Sequence, residues 1–114
     1  MAFPATYNFS YYREDTYEFV IRPKNSDGSA FDLDGYTADF FIANVRGPTG
    51  TQYEAQAVVD DVNNLVTCTI LPGVGGQLTP GTFVYDVQID SGASLSFTLV
   101  TGNITVTEQV SGAL

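Results

Sequence analysis

The sequence predicts an all-β fold. Apolar and polar residues alternate with a period of two along several segments, most clearly in Phe83-Val84-Tyr85-Asp86-Val87-Gln88-Ile89. Turn signals separate these segments at intervals of about 8 to 12 residues. The composition, with 11 Gly, 7 Tyr and 8 Phe, is typical of short strands joined by tight turns. Together these observations predict a single immunoglobulin-like antiparallel β-sandwich of about seven to nine strands without a disulfide.

The N-terminal half contains three predicted strands. Residues 7–12 alternate aromatic and polar side chains, and residues 13–15 then turn the chain. The second strand starts at Tyr17 and ends before Pro23, which has no backbone donor to continue a ladder. The third covers residues 36–45 and ends at the turn Gly47-Pro48-Thr49-Gly50.

The C-terminal half contains the remaining strands. Residues 51–59 and 65–71 flank an acidic loop, and we expect them to form a hairpin. The glycine-rich residues 72–77 are predicted to hold at most a short helical turn. Another strand follows the Pro80-Gly81 turn, and residues 95–107 form two short strands or one long bulged strand.

The length predicts one domain. A chain of 114 residues buries roughly two thirds of its unfolded surface, which supports one core without a metal or a disulfide. We divide it into an N-terminal arm (1–5), a β-sandwich (6–107) and a C-terminal tail (108–114). Tyr85 is a candidate for a tyrosine corner, in which a hydroxyl bonds to the backbone a few residues upstream. The inward positions of the strands predict the core: Phe19, Ile21, Phe40, Ile42, Cys68, Phe83, Tyr85, Val87, Ile104 and Val106.

The charge and the cysteine content restrict the partners. Thirteen acidic and four basic residues give a formal net charge of -9, which repels phosphate backbones and anionic lipids, so we expect no nucleic-acid and no membrane partner. The single cysteine, Cys68, shares a face with apolar residues and is predicted to be buried. The first residues lack a secretion-signal pattern, and no apolar run reaches membrane-spanning length, which predicts synthesis and first folding in a cytoplasm.

The chemistry of the side chains predicts no catalytic site, no metal and no cofactor. The chain has no histidine, the commonest general base and zinc ligand. Two acidic loops are candidates for calcium, although neither has EF-hand spacing and Asx residues beside glycine usually form turns. The first contains Asn25, Asp27, Asp32 and Asp34, and the second contains Asp60, Asp61, Asn63 and Asn64.

Aromatic residues outside the apolar alternation are candidates for an interface. Tyr7, Tyr11 and Tyr17 share the parity of the apolar faces, so core packing explains them better than a stacking platform does. Tyr12, Phe3 and Phe41 do not share it. The predicted interface therefore consists of these three and of apolar residues in the arm and tail: Phe3, Pro4, Tyr12, Phe41, Val110 and Leu114.

Several segments resemble a family of small immunoglobulin-like proteins from tailed-phage virions. They are Tyr11-Tyr12-Arg13-Glu14-Asp15-Thr16-Tyr17-Glu18-Phe19, Ser26-Asp27-Gly28, Asp32-Leu33-Asp34-Gly35-Tyr36-Thr37-Ala38 and Thr79-Pro80-Gly81-Thr82-Phe83-Val84-Tyr85-Asp86-Val87. This family is similar to the N-terminal module of phage baseplate upper proteins, and similar sandwiches decorate heads and tails. The resemblance covers most of the chain. It implies a virion structural part without catalysis, synthesised in the host cytoplasm and displayed on the virion surface.

Two functions follow from these observations. The first is a head decoration protein docked on the capsid, with a tail or baseplate component as the alternative; its partners would be the major capsid or tail protein and copies of itself. The second is a binding module that recognises carbohydrate, such as a host-surface glycan, or another part of a host surface through exposed aromatic residues. A structural accessory would have apolar surface at termini or edge strands, whereas a binding module would gather aromatics around a polar concavity. The sequence favours the first, because it shows no polar cluster around an aromatic residue.

Overall fold

The computed structural model describes residues 4–47, 49–92 and 95–108. In these residues the protein is nearly all β, with eight strands and a single helical turn, which confirms the predicted all-β class. Residues 96–107 form one long strand. The elements are β1 (Ala5–Thr6), β2 (Phe9–Tyr12), β3 (Tyr17–Ile21), β4 (Thr37–Ala43), β5 (Gln52–Asp60), β6 (Leu65–Ile70), α1 (Pro72–Gly75), β7 (Gly81–Asp90) and β8 (Ser96–Thr107).

One sheet contains all eight strands and curls into a half-barrel. Its strand order is β1-β8-β7-β4-β5-β6-β3, and β2 also pairs with β8. β5 forms the corner, because its first part pairs with β4, up to Ala55, and its second part pairs with β6, from Gln56 onward. We call β1, β2, β8, β7, β4 and the first part of β5 the larger half, and the rest of β5 with β6 and β3 the smaller half.

The N-terminal strands show that the predicted antiparallel pairing is wrong at one edge. β1 and β2 both pair parallel with β8 in a single register, with Ala5 opposite Val100 and Tyr12 opposite Thr107. The alternation of apolar residues indicates which side of a strand faces the core, but it does not specify the neighbouring strand or its direction. The sheet therefore begins at Ala5, inside the segment predicted to be the arm.

The chain passes closely over Gly102 between β1 and β2. A β-carbon at Gly102 would overlap the backbone carbonyl of Tyr7, so this crossing requires glycine. The Asn8 side-chain oxygen accepts a hydrogen bond from the Asn103 N–H at 2.9 Å. The Tyr7 carbonyl accepts one from the Tyr85 hydroxyl at 2.5 Å. Because these partners are 78 residues apart rather than a few, the tyrosine-corner prediction is wrong.

The core lies inside the half-barrel. Eight of the ten predicted core residues are buried, whereas Phe19 and Ile21 are half-buried because β3 is an edge strand. A bulge in the β7–β8 ladder pairs Val87 with Val100 and Gln88 with Thr98. Leu99 is the extra residue of the bulge on β8, and both Leu99 and Val100 are buried. The core further contains Phe9, Tyr11, Leu33, Ala55, Val66, Ile70, Leu78 and Ile89.

The two free edges of the half-barrel meet through aromatic rings. β2 and β3 form no ladder with each other in the described residues, but Phe9 stacks on Tyr17 at 4.5 Å between ring centroids. Tyr7 packs on Phe19 at 5.5 Å, and its hydroxyl lies 2.7 Å from that of Tyr17. Tyr11 is fully buried and Tyr17 half-buried, as core packing predicts, whereas Tyr7 is 40% exposed. Ring packing and this pair of hydroxyls thus join the two edges, which no backbone ladder connects in the described residues.

The segment between β6 and β7 is held by Arg13. This side chain donates to the Leu78 carbonyl from Nε at 3.1 Å and to the Gly76 carbonyl from Nη2 at 2.7 Å. Gly75 in α1 lies against the Tyr11 ring, where a β-carbon would overlap the hydroxyl. α1 is a single turn, and among the described residues no helix is long and apolar enough to cross a membrane.

Candidate functional site

The acidic loops use their side chains to hold their own turns. Asp27 Oδ1 accepts hydrogen bonds from the backbone N–H of Ser29 at 2.9 Å and from its hydroxyl at 2.6 Å. Asp60 Oδ1 accepts from the N–H groups of Val62 and Asn63, both at 3.1 Å. The bonds from Ser29 and Asn63 lower the pKa of the two carboxyls. Turn formation accounts for these aspartates, and within residues 4–47, 49–92 and 95–108 no three His, Cys, Asp or Glu side chains could hold a metal together.

The cysteine is placed where the sequence predicts. Cys68 is fully buried in β6, and burial raises the pKa of its thiol to about 12. A thiol in this environment is protonated and inaccessible, so it is an apolar core residue rather than a nucleophile.

Three of the six predicted interface residues, Pro4, Tyr12 and Phe41, lie among the described residues. Pro4 is exposed just before β1, Tyr12 is 54% exposed at the end of β2, and Phe41 is half-buried in the middle of β4. The other three, Phe3, Val110 and Leu114, lie outside the described residues. Tyr12 pairs with Thr107 of β8, whereas Phe41 is level with Thr101 of β8 through its partner Asp86. Thr101 and Thr107 are six residues, or about 20 Å, apart along β8. Tyr12 and Phe41 therefore do not form one site.

Phe41 lies in a concave surface that we call the outer groove. This groove of about 300 Å³ opens on the outer face of the larger half. Phe41 of β4 and Val84 of β7 form its apolar floor, while Arg46 of the β4–β5 loop and Asp86 of β7 supply charges. Its other lining residues are Ala43, Val45, Gly47, Gln52, Tyr85 and Gln88.

Strand pairing assembles the floor of the outer groove. Phe41 pairs with Asp86 on one side and with Glu54 on the other, and Asp86 in turn pairs with Thr101 of β8. Side chains directly opposite each other on a sheet project to the same face, so these four residues form a row across the outer surface. The opposite face of β4 carries the buried Phe40.

The β4–β5 loop positions Arg46 over this row. Asn44 closes the loop by accepting the Thr51 N–H on its side-chain oxygen at 2.9 Å. Arg46 then reaches β8, where Nη2 donates to the Thr101 hydroxyl at 2.7 Å and to the Gly102 carbonyl at 3.4 Å. In the part of the chain that the structure describes, Nε and Nη1 of Arg46 have no hydrogen-bond partner. The guanidinium is thus anchored at one end and has unused donors at the other.

Asp86 is a half-buried carboxylate beside this guanidinium. Burial raises its pKa, and the charge of Arg46 opposes that rise without cancelling it. Among the described residues both ion pairs are made by Arg13, so Arg46 and Asp86 do not form an ion pair with each other. The groove therefore offers hydrogen-bond acceptors as well as donors around an aromatic floor.

We expect Asp86→Asn to be more stable than the wild type at neutral pH and equally stable in acid. The pKa of Asp86 in the folded protein is raised above its ordinary 3.8. The contribution of the protonated carboxyl to the free energy of unfolding is therefore complete below pH 3.8 and is lost as the pH rises through the folded-state pKa. Asparagine stays neutral at every pH, so the variant does not lose this contribution to stability. Urea unfolding from about pH 3 to about pH 7 measures the difference in the free energy of unfolding.

Glu54→Gln is the control, because it removes the same charge from an exposed position in the same row. If Asp86→Asn were less stable than the wild type at neutral pH while Glu54→Gln were not, Arg46 would stabilise the ionised Asp86 more than burial opposes it. The direction of the pKa shift would then be wrong.

The sequence identified only part of the outer groove. Phe41 was predicted as an interface residue, but Arg46, Asp86 and the two glutamines were not. The alternation in the sequence predicts that Phe41 and Asp86 face away from the core. It does not predict that they are paired, because pairing depends on which strands are neighbours. The polar concavity around an aromatic, which the sequence did not show, is present in the structure.

Comparisons with known proteins give a weak structural likeness. No family model matches the chain, and no curated protein does so. A solved structure similar to it is a family 123 glycoside hydrolase from Clostridium perfringens, with a TM-score of 0.40 and 12% sequence identity. The alignment covers 94% of this chain and 24% of that chain, so the chain spans about a quarter of the hydrolase. A likeness at this level carries no argument about function.

Proposed function

We propose that the chain is a non-enzymatic structural accessory protein of a tailed-phage particle. A head decoration docked on the capsid is the preferred position, and a tail or baseplate component is the alternative. The sequence segments that resemble such virion proteins suggest this role, and the strand order supports the immunoglobulin-like fold that the resemblance implies. The partners would be the major capsid or tail protein and neighbouring copies of the same chain.

The strand order supports an immunoglobulin-like sandwich. In such domains, strands G, F and C form one sheet and strands B, E and D lie in the other. Here β8, β7 and β4 follow one another as G, F and C do, and β3, β6 and the second part of β5 follow one another as B, E and D do. β5 crosses between the two sheets, and β1 with β2 lies beside the last strand. The half-barrel is then a sandwich joined by a shared strand.

The segments outside the sheet are the proposed attachment points. β1 begins at Ala5, opposite Val100, and β8 ends at Thr107, so these two strand ends are about 23 Å apart along one edge of the sheet. Two segments that bind weakly by themselves can hold a domain firmly when both are engaged. The net charge of -9 suits an exposed outer surface and disfavours contact with packaged DNA.

We expect deletion of residues 1–4 and 109–114 to leave the fold intact and to abolish incorporation into the particle. These limits keep Ala5, which pairs with Val100, and Glu108, which lies 3.5 Å from Arg13. Thermal unfolding of the purified protein tests the fold. Cryo-electron microscopy and gel analysis of particles from the virus that encodes the chain measure its occupancy.

The full-length protein is the reference in the same particles. Its absence from them would overturn the proposed role altogether. Full occupancy of the doubly truncated protein would instead place the docking surface on the sheet, and Tyr12→Ala and Phe41→Ala would be the next variants.

A second candidate function is recognition of carbohydrate, for example a glycan on the host surface. The outer groove is the observation that favours it, since Phe41 is surrounded there by polar side chains. The two functions are compatible, because a protein displayed on a particle can also bind a ligand on its outward face.

A further inference from the structure

We propose that the outer groove is a binding site for a neutral saccharide, with one face of a sugar ring against Phe41 and its hydroxyls bonded to Arg46 and Asp86. This proposal specifies the ligand class and the residues for the second candidate function, recognition of carbohydrate, and it rests on that function. It holds whether or not the chain is part of a phage particle.

The shape of the groove suits a small ring. Its volume of about 300 Å³ is at the lower end of the range of small-molecule sites, which suits the end of a short oligosaccharide rather than a large cofactor. The floor is an aromatic ring beside Val84, and such a surface excludes water from an apolar ring face. A pyranose presents C–H groups on one face and hydroxyls around its rim, which matches an apolar floor with polar walls.

The polar groups of the groove match hydroxyls. Nε and Nη1 of Arg46 only donate, and the ionised carboxylate of Asp86 only accepts. The amides of Gln52 and Gln88 do both. A hydroxyl is donor and acceptor at once, so a pair of neighbouring hydroxyls can satisfy all these groups. Hydrogen bonds to charged partners are also the stronger ones.

The charges argue for a neutral ligand. A free anion would be repelled by Asp86 and by the protein's net charge of -9, and a free cation would be repelled by Arg46 inside the groove. A neutral polyol avoids both costs and still uses both side chains. Of the ligands that are both amphipathic and uncharged, sugars have the required density of hydroxyls.

The site is already formed in the free protein. β4 and β7 pair over seven residues, and this ladder fixes Phe41 opposite Asp86. Arg46 is held by Thr101 and Gly102 of β8. A side chain that is already restrained loses less conformational entropy when a ligand binds.

The test uses NMR of the full ¹⁵N-labelled chain. Methyl glycosides of glucose, galactose, mannose and N-acetylglucosamine are each titrated to about 20 mM, which nearly saturates a site with a Kd of about 1 mM. At least one glycoside is expected to give saturable shifts at the amides of Phe41, Arg46 and Asp86. Asp86→Asn and Phe41→Ala should each weaken that binding about tenfold or more.

The control variant is Tyr12→Ala, which removes an exposed aromatic side chain about 20 Å away along the strand direction and should bind like the wild type. Asp86→Asn keeps the side-chain shape, so it remains informative if Phe41→Ala is poorly folded. Absence of saturable shifts in the groove with all four glycosides would overturn the proposal. So would unchanged binding in Asp86→Asn, or binding of sodium acetate or methylamine as tight as that of the sugars.

Discussion

Replacing Tyr85 with alanine is expected to reduce the free energy of unfolding by about 3–5 kcal/mol, a large share of what a domain of this size possesses. Tyr85 is 2% exposed, and its ring contacts those of Phe9, Phe19 and Phe40. Its hydroxyl also holds the Tyr7 carbonyl. The substitution therefore leaves a cavity among aromatic rings and releases the N-terminal segment. The chain has no tryptophan whose fluorescence could be followed, so urea unfolding monitored by far-UV circular dichroism measures the loss.

Tyr85→Phe separates these two contributions. It keeps the ring and removes only the hydroxyl, so it should cost about 1–3 kcal/mol, the range for leaving one buried polar group unpaired. Equal losses in the two variants would mean that the ring contributes nothing through packing. A loss below about 1 kcal/mol in Tyr85→Ala would show that the Tyr85 side chain does not lie in the core.

Gly102→Ala should be nearly as damaging, with an expected loss of about 2–4 kcal/mol, although it adds only one methyl group. The new β-carbon would overlap the backbone of Tyr7, which cannot rotate away as a side chain can. The N-terminal segment must then move off β8, and its parallel ladder and the Tyr85 hydrogen bond are lost. Urea unfolding gives the stability, and hydrogen exchange of the β2 amides shows whether this segment detaches.

Gly73→Ala is the matched control. Gly73 lies in α1, and a β-carbon there meets no atom within 4 Å. We expect a change within about 0.5 kcal/mol. If Gly102→Ala were equally mild, the close passage of Tyr7 over β8 would be contradicted.

The positions of the strands could be predicted because their signals are local. The alternation in residues 83–89 and the Pro80-Gly81 turn define β7, and a buried Phe40 follows from the pattern of β4 in the same way. The Pro and Gly content of residues 72–77 predicts at most a short helical turn, and α1 at Pro72–Gly75 is a single turn. These features depend on a few neighbouring residues, which one sequence contains in full.

The arrangement of the strands could not be predicted, since it depends on contacts between distant residues. Nothing near Tyr7 indicates that its carbonyl meets Tyr85, and a parallel partner for β2 leaves no mark in its alternation. The groove is non-local in the same way. Phe41, Arg46 and Asp86 become neighbours only after β4 pairs with β7 and the loop folds towards β8. Phe19 shows a smaller effect, because its edge position leaves it half-buried despite inward parity.

The parallel pairing of the first and last strands also determines how the domain carries tension. A force that draws the two ends of the chain apart pulls β1 and β2 one way along the sheet and β8 the other. The strands must then slide past each other, so the hydrogen bonds between them are strained together and not broken one after another. The Tyr7 carbonyl, bonded across to Tyr85 of β7, adds a further restraint against this sliding. A domain tethered at both ends is in this way built to resist being unravelled.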